Sequence, residues 1–263
     1  MNAVLTHAPG TVCWTELGTT DPAAARPFYH ALFGWDAADV PMPEGMGTYT
    51  LLQQDGRDTG GIYELTAEQQ THHVPPHWLL YTAVKDVDAV ADATRANGGA
   101  VVAPPMDVPN VGRMAALQDP EGATFAVMRL AGHPGLGAKE APGALCWTEL
   151  SSRDPEGAAA FYGALFGWEA NETETPGGPY TLFSLDGADV GGMVHMNEEW
   201  GEMPAAWMPY FGIADLDAAL HTVTEHGGTV ATEVIEAKGV GRFAVVQDPQ
   251  GACCSIIQLD AFH

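Results

Sequence analysis

Apolar and polar residues alternate along VCWTEL (12–17), the period-two pattern of a strand with one face buried. If Trp14 points inward, Val12 and Glu16 share its face, and Cys13, Thr15 and Leu17 turn toward a covering helix. The period then lengthens. Asp21 is placed to cap a helix, Pro22 suits its first turn and Gly34 suits its end. Ala25, Phe28 and Leu32 give that helix an apolar stripe, and Pro27 inside it predicts a local kink. Three short strands are predicted near 35–40, 48–54 and 58–64. After the loop LTAEQQTHHVPPH the same order returns. WLLYTAV reads as a strand, and a helix runs from Asp86 to Asn97-Gly98. Strands follow near 100–104, 113–118 and 123–129, the last two joined by the Asp-Pro-Glu-Gly turn at 119–122. Each run is one βαβββ module.

The pattern then repeats. LCWTEL (145–150) matches VCWTEL at an offset of 133, which also carries FYHALFGWDA (28–37) onto FYGALFGWEA (161–170). The offset falls to 131 at YTLL (49–52) and YTLF (180–183), and at Gly60-Gly61 and Gly191-Gly192. It falls again to 129, where Trp78 meets Trp207 and VGRMAALQDPEGA (111–123) meets VGRFAVVQDPQGA (240–252). The chain is therefore a duplication with small deletions in loops. Two homologous domains are expected at about 10–130 and 144–260, and AGHPGLGAKEAPG (131–143) reads as their linker.

Composition narrows the function. Ten basic residues against 34 acidic give a net charge of −24, which repels nucleic acid and anionic membrane surfaces. No apolar run is long enough to span a bilayer, and MNAVLTHAPG lacks the pattern of a signal peptide, so a cytoplasmic protein is expected. Cys13, Cys146, Cys253 and Cys254 form no zinc-type pair and read as small apolar residues in a reducing compartment. No GxSxG, P-loop or strand-linked GxGxxG is present.

Paired βαβββ modules, FYxALFGW after a capping Asp-Pro, and the late QDPxG hairpin resemble the vicinal oxygen chelate superfamily. It includes glyoxalase I, the bleomycin-resistance proteins, fosfomycin-resistance enzymes and extradiol dioxygenases. The tandem arrangement with a CWTEL-like opening is similar to bacterial proteins described as glyoxalase-like or as hydroxylases. The resemblance implies an α+β fold: two tandem domains, each of two paired modules forming a cup-shaped mixed sheet with helices outside, packed as an internal pseudo-dimer. It is specific for fold and not for reaction.

Metal enzymes of that superfamily carry His, Gln or Glu ligands on the first and last strands of each module. The matching positions here hold Trp14 and Trp147, then Leu79 or Trp78 and Met208 or Trp207, then Ala126 and Ser255. Only Glu64 or His195 near the Gly-Gly strand could ligate, so at most one ligand of four survives per domain and neither metal nor cofactor is expected.

The remaining candidates line the cups. Trp14 and Trp147 form an aromatic wall, with Glu16 and Glu149 two residues along. That pairing suits a flat organic ligand offering a hydrogen-bond donor or a cation; core tryptophans and solvated glutamates are the alternative. Tyr49 and Tyr180, and Trp78 and Trp207, are further ligand-binding candidates. Arg113 and Arg242 bind a ligand carboxylate or phenolate, or else pair with Glu16 and Glu149 or with acidic loops. Glu16, Glu149 and His195 are the catalytic candidates, His195 being either a proton-transfer residue or a polar strand end. His72, His73 and His77 read as a surface loop. The expected function is metal-independent binding, and possible transformation, of a small, partly aromatic molecule in resistance or secondary metabolism. A metal-dependent glyoxalase or dioxygenase with non-standard ligands, and a metal-free glyoxalase-like stress protein, are the alternatives. The expected partner is the small molecule alone, in a monomer or homodimer.

Overall fold

A computed structural model describes residues 7–41, 47–137, 141–175 and 177–260. The first half runs β1 (Val12–Thr19), α1 (Pro22–Phe33), β2 (Asp36–Pro41), β3 (Thr48–Gln54), β4 (Arg57–Glu64), α2 (Ala67–Thr71), β5 (His77–Ala83), α3 (Val87–Ala96), β6 (Ala100–Val108), β7 (Gly112–Gln118) and β8 (Thr124–Leu130). The second runs β9 (Leu145–Ser152), α4 (Pro155–Phe166), β10 (Glu169–Thr175), β11 (Gly178–Leu185), β12 (Ala188–His195), β13 (Ala206–Gly212), α5 (Leu216–Glu225), β14 (Thr229–Val230), β15 (Ile235–Ala237), β16 (Gly241–Gln247) and β17 (Cys253–Leu259). Each half forms its own mixed sheet, ordered β2-β3-β4-β1-β5-β8-β7-β6 and β10-β11-β12-β9-β13-β17-β16-β14, with β15 also on β16. The fold is the expected α+β duplication.

The helix ends follow their local signals. Asp21 and Asp154 each accept a backbone N–H at 3.0 Å, from Ala24 and Gly157. Gly34 and Gly167 close α1 and α4 in the left-handed region, at φ 72° and 74°. α1 continues as one helix past Pro27. Two details were not expected. The loop after β4 contains α2, whose Thr66 and Gln69 complete a reciprocal capping box. The strand near 100–104 extends to Val108, whereas its counterpart is broken into β14 and β15.

The compact units do not coincide with the halves. One contains residues 1–14, 80–135 and 147–208; the other contains 15–79, 136–146 and 209–263. Each core therefore combines the first module of one half with the second module of the other. In the first unit Val87, Ala91, Leu117 and Phe125 pack with Leu150, Phe161, Tyr162 and Trp168. In the second, Leu17, Phe28, Tyr29 and Trp35 pack with Phe211, Leu216, Val223 and Ile256.

A polar relay runs through each core. Trp78 Nε1 donates to the Tyr29 hydroxyl at 3.2 Å, and Tyr29 donates to Asp248 Oδ2 at 2.9 Å. In the other unit Trp207 Nε1 donates to Tyr162 at 2.8 Å and Tyr162 to Asp119 Oδ2 at 2.9 Å. Both aspartates belong to the QDPxG turns. Their second oxygens accept turn N–H groups, from Glu121 and Ala123 at 3.0 and 2.9 Å and from Gln250, Gly251 and Ala252 at 2.8 to 2.9 Å. The last tryptophan of each FYxALFGW segment is fixed the same way: Trp35 Nε1 reaches the Gly143 carbonyl and Trp168 Nε1 the Gly10 carbonyl, both at 2.8 Å.

Burial, outweighing these hydrogen bonds, pushes the Asp119 and Asp248 carboxyls above their ordinary value. A raised carboxyl contributes stability that is fully present below its unfolded value and is lost as pH rises through the folded value. Urea unfolding from pH 4 to pH 7 should show that decline, and Asp248→Asn should flatten it. Tyr162→Phe leaves the Trp207 N–H and an Asp119 oxygen buried without their partner and should cost about 1–3 kcal/mol. An unchanged urea midpoint would show that the relay is dispensable.

Candidate functional site

In the first unit, β12 lies parallel to β9 with Gly192 beside Glu149, and β11 sets Tyr180 against Val194. Paired residues share a face and faces alternate along a strand, so Tyr180, Gly192, Glu149 and Trp147 lie on one face. Gly192 is required there, because a Cβ would collide with the Tyr180 hydroxyl. The neighbouring Gly191 makes room on the opposite face, where Thr148 Oγ1 would lie 3.0 Å from a Cβ. The phenol crosses the glycine to donate to Glu149 Oε2 at 2.8 Å and accepts from Trp147 Nε1 at 3.0 Å. Burial, and then the charge of Glu149, push the Tyr180 phenol well above its ordinary value, so its proton stays in place and it acts as a donor. The result is a half-buried carboxylate beside an indole, oriented by a tyrosine.

The second unit repeats the plan with different residues. Glu16 lies beside Gly61, Tyr49 lies against Tyr63, and a Cβ on Gly61 would collide with the Tyr49 hydroxyl. Tyr63 has no tyrosine counterpart, since the matching residue is Val194. Its hydroxyl lies over Gly18, accepts from Gln69 Nε2 at 3.1 Å and lies 3.4 Å from His77 Nε2. His77 Nδ1 is 2.8 Å from the Pro75 carbonyl, a contact that needs the proton on Nδ1 and leaves Nε2 as an acceptor. Burial above all, with the Glu16 charge adding to it against the Gln69 bond, pushes the Tyr63 phenol up to about 12. Burial holds the His77 ring below its ordinary value.

Other candidates lie elsewhere. Trp78 and Trp207 point into the cores and serve the relays there. Trp14 is buried and packs edge-to-face on His133, with ring centroids 5.0 Å apart. His195 is not brought to Glu149. It shares the opposite face with Met193 and Leu150, its Nε2 2.9 Å from Thr181 Oγ1. Arg113 is paired in two-pronged fashion with Asp88 at 2.7 and 2.8 Å and also meets Asp107 at 3.2 Å. Arg242 grips Asp217 in the same way at 3.1 and 3.2 Å. The two-pronged partners lie in the first turns of α3 and α5, and Asp107 near the end of β6, rather than at Glu16 and Glu149. The four cysteines form no disulfide, and burial pushes the Cys13 and Cys146 thiols up to about 12, so neither is a reactive thiolate.

A family model described as the Glyoxalase/Bleomycin resistance protein/Dioxygenase superfamily matches residues 11–127, and one described as a Glyoxalase-like domain matches 147–257. CFP32 of Mycobacterium tuberculosis, which is named as a glyoxylase, is 37% identical over 253 residues, covering 96% of each chain. The chain belongs to this glyoxalase superfamily. DauV of Streptomyces sp. strain C5, named as an anthracycline biosynthesis protein, is 33% identical over 262 residues, covering 96% of this chain and 94% of its own. Among solved structures, the Mn(II)-bound glyoxalase from Novosphingobium aromaticivorans aligns with a TM-score of 0.64 at 14% identity, covering 95% of this chain and 82% of that one. The 2,3-dioxygenase LapB from Pseudomonas sp. KL28 aligns at 0.65 and 12%, covering 96% and 93%. At such identities the likeness is one of fold.

The metal of the superfamily's metal enzymes does not fit the residues present. Trp147, at one ligand position, donates its N–H to Tyr180, and an indole offers no lone pair. Ala126 lies beside Tyr81 and Ser255 beside Tyr210, both fully buried, and neither supplies an imidazole or a carboxylate. Glu64 shares the face of Ile62, opposite to Glu16. Among the described residues no three His, Cys, Asp or Glu side chains come together as a metal site, and a divalent transition metal needs three or four ligands.

Reading the sequence missed Tyr63 and Gln69. Tyr63 lies two residues after Gly61, so strand parity puts it on the face of Gly61, and the β1–β4 register makes that the face of Glu16. Gly192→Ala should drive the Tyr180 hydroxyl off Glu149 and destabilise the fold by about 1–3 kcal/mol. Urea unfolding together with the Trp147 indole N–H resonance reads this, and an unmoved resonance would mean that the glycine is not what admits the phenol. Elemental analysis of tag-free protein should find zinc, nickel, iron and manganese far below one per chain; a stoichiometric metal would reveal ligands outside these positions.

Proposed function

We propose that this chain binds a small, flat, partly aromatic organic molecule of secondary metabolism without a metal, on the sheet face that carries Trp147, Tyr180 and Glu149. The observation behind this reading is the Trp147–Tyr180–Glu149 chain of hydrogen bonds. Tyr180 takes up one of the several acceptor positions of the carboxylate and fixes its direction. The indole beside it offers an apolar surface for a ring, so a flat molecule carrying a hydroxyl donor meets both. The two Streptomyces relatives named for anthracycline biosynthesis, 33% identical across nearly the whole chain, support a ligand of that flat, hydroxylated kind.

The mycobacterial relative named as a glyoxylase supports a second reading, in which the bound molecule is a small carbonyl compound that is also transformed. A metal-dependent dioxygenase or glyoxalase would need ligands that the described residues do not assemble. We also infer a cytoplasmic protein: its cysteines form no disulfide, and among the described residues no helix is long and apolar enough to cross a membrane.

Titration with an anthracycline aglycone, read by tryptophan fluorescence, tests the first reading. Saturable quenching is expected. Glu149→Gln should weaken binding by about 1–3 kcal/mol through loss of a charged acceptor. Trp147→Phe should cost less, because most of the apolar contact remains. Equal affinities for the parent and Glu149→Gln would sink the proposal.

A further inference from the structure

We propose that Tyr63 and His77 form a metal-independent proton-transfer pair on the first half's sheet, His77 Nε2 taking a proton from an acidic C–H or O–H of a small flat substrate while the Tyr63 hydroxyl holds the oxygen that gains charge. The pair lies in the other unit from the Trp147–Tyr180–Glu149 face, so the inference does not rest on the binding reading above.

Position comes first. Tyr63 and Glu16 share one face of the β1–β4 pair, through the partners Gly18–Tyr63 and Glu16–Gly61. His77 opens β5 on the face opposite to its neighbour Trp78, which points into the core. Gly18 is what lets the phenol lie across β1, since a Cβ there would come within 2.7 Å of its hydroxyl. The phenol and the imidazole thus meet at 3.4 Å, a long hydrogen bond from the Tyr63 hydroxyl to His77 Nε2 that a substrate hydroxyl in reach of both atoms would displace. Neither group is sealed in the core, both being half-buried.

Protonation states follow from the partners. The Pro75 carbonyl holds the His77 proton on Nδ1, so Nε2 presents its lone pair. Gln69 donates to the Tyr63 oxygen, which leaves the phenol proton as the group's own donor. Burial keeps the imidazole neutral and the phenol protonated, with the negative charge of Glu16 reinforcing the phenol. A base and an acid of opposite readiness side by side are what general acid–base chemistry needs. The arrangement belongs to the first half alone, because the residues that replace Tyr63 and His77 are Val194 and Ala206.

The reaction can be tried with 5-nitrobenzisoxazole, a flat molecule that needs no cofactor. His77 Nε2 would take the ring C–H proton; the C–H electron pair forms the nitrile as the N–O bond breaks. The oxygen leaves as a coloured phenolate into solvent, and the imidazolium returns its proton to water, so this probe reads the base. The parent should turn over this probe about tenfold or more faster than His77→Gln. His72→Gln, in the exposed stretch after α2, should match the parent. The rate should rise with pH through a midpoint below the ordinary histidine value of 6.5 and then level off. Nitrogen NMR of the ring gives an independent reading: the Nδ1–H tautomer should dominate at neutral pH. Equal rates for the parent and His77→Gln, or an Nε2–H tautomer, would overturn the proposal.

Discussion

The hydrogen bond from a helix tyrosine to a turn aspartate organises this protein. Tyr29 and Asp248 are more than two hundred positions apart in the chain, yet their side chains meet in one buried core, and Tyr162 and Asp119 repeat the contact in the other. A buried phenol and a buried carboxyl are each costly without a partner. Together, with a tryptophan N–H on the phenol and turn N–H groups on the carboxyl, they are satisfied. The contact therefore fixes how a first module docks on a second one, in the same way in both cores.

The same economy shapes the opposite faces of the sheets. Two adjacent glycines on the fourth strand of each half clear both sides at once, one for the threonine of the first strand and one for the tyrosine of the third. The tyrosine then crosses to the glutamate, as Tyr180 does to Glu149. The motif "WTE" and the Gly-Gly pair are thus two parts of one device, separated by more than forty residues. The exposed edge strand β10 carries Glu169, Glu172 and Glu174, and like charges along an open edge discourage pairing with a second chain.

Much of the fold was legible because its signals are local. Capping aspartates, closing glycines and the QDPxG turn fixed helix and hairpin ends, and the repeat located the second copy. The short helix α2 was legible in principle from Thr66 and Gln69, but four exposed residues without an apolar stripe resemble a loop. The site was only half legible. Alternation tells which residues share a face and not which face meets the core, so Trp78 and Trp207 were assigned to the ligand side although they serve the core relays. His195 was named beside Glu149 as a catalytic candidate or else a polar strand end, and strand register places the two on opposite faces. Arg113 and Arg242 were left between a ligand anion, Glu16 and Glu149, and acidic loops; their two-pronged partners are helix acids 25 residues away along the chain. The Tyr–Asp contact was invisible because nothing in either motif points to the other.

Duplication within one chain explains why the two faces could diverge. In a symmetric dimer every substitution appears twice, so a group that acts at one site must be tolerated at both. Fusion removes that condition. His77 needs Tyr63 on the fourth strand, Gln69 on α2, and Gly18 beneath the phenol; the second half has Val194, a three-residue helical turn at Glu198–Trp200, and Ser151 at the corresponding places. These are changes at several separate elements, and each is harmless to the cores because it lies on the face away from them. The relays were held in common while part of the outer faces changed, so the cores retain the symmetry of the repeat and the proposed Tyr63–His77 pair lies where that symmetry is broken.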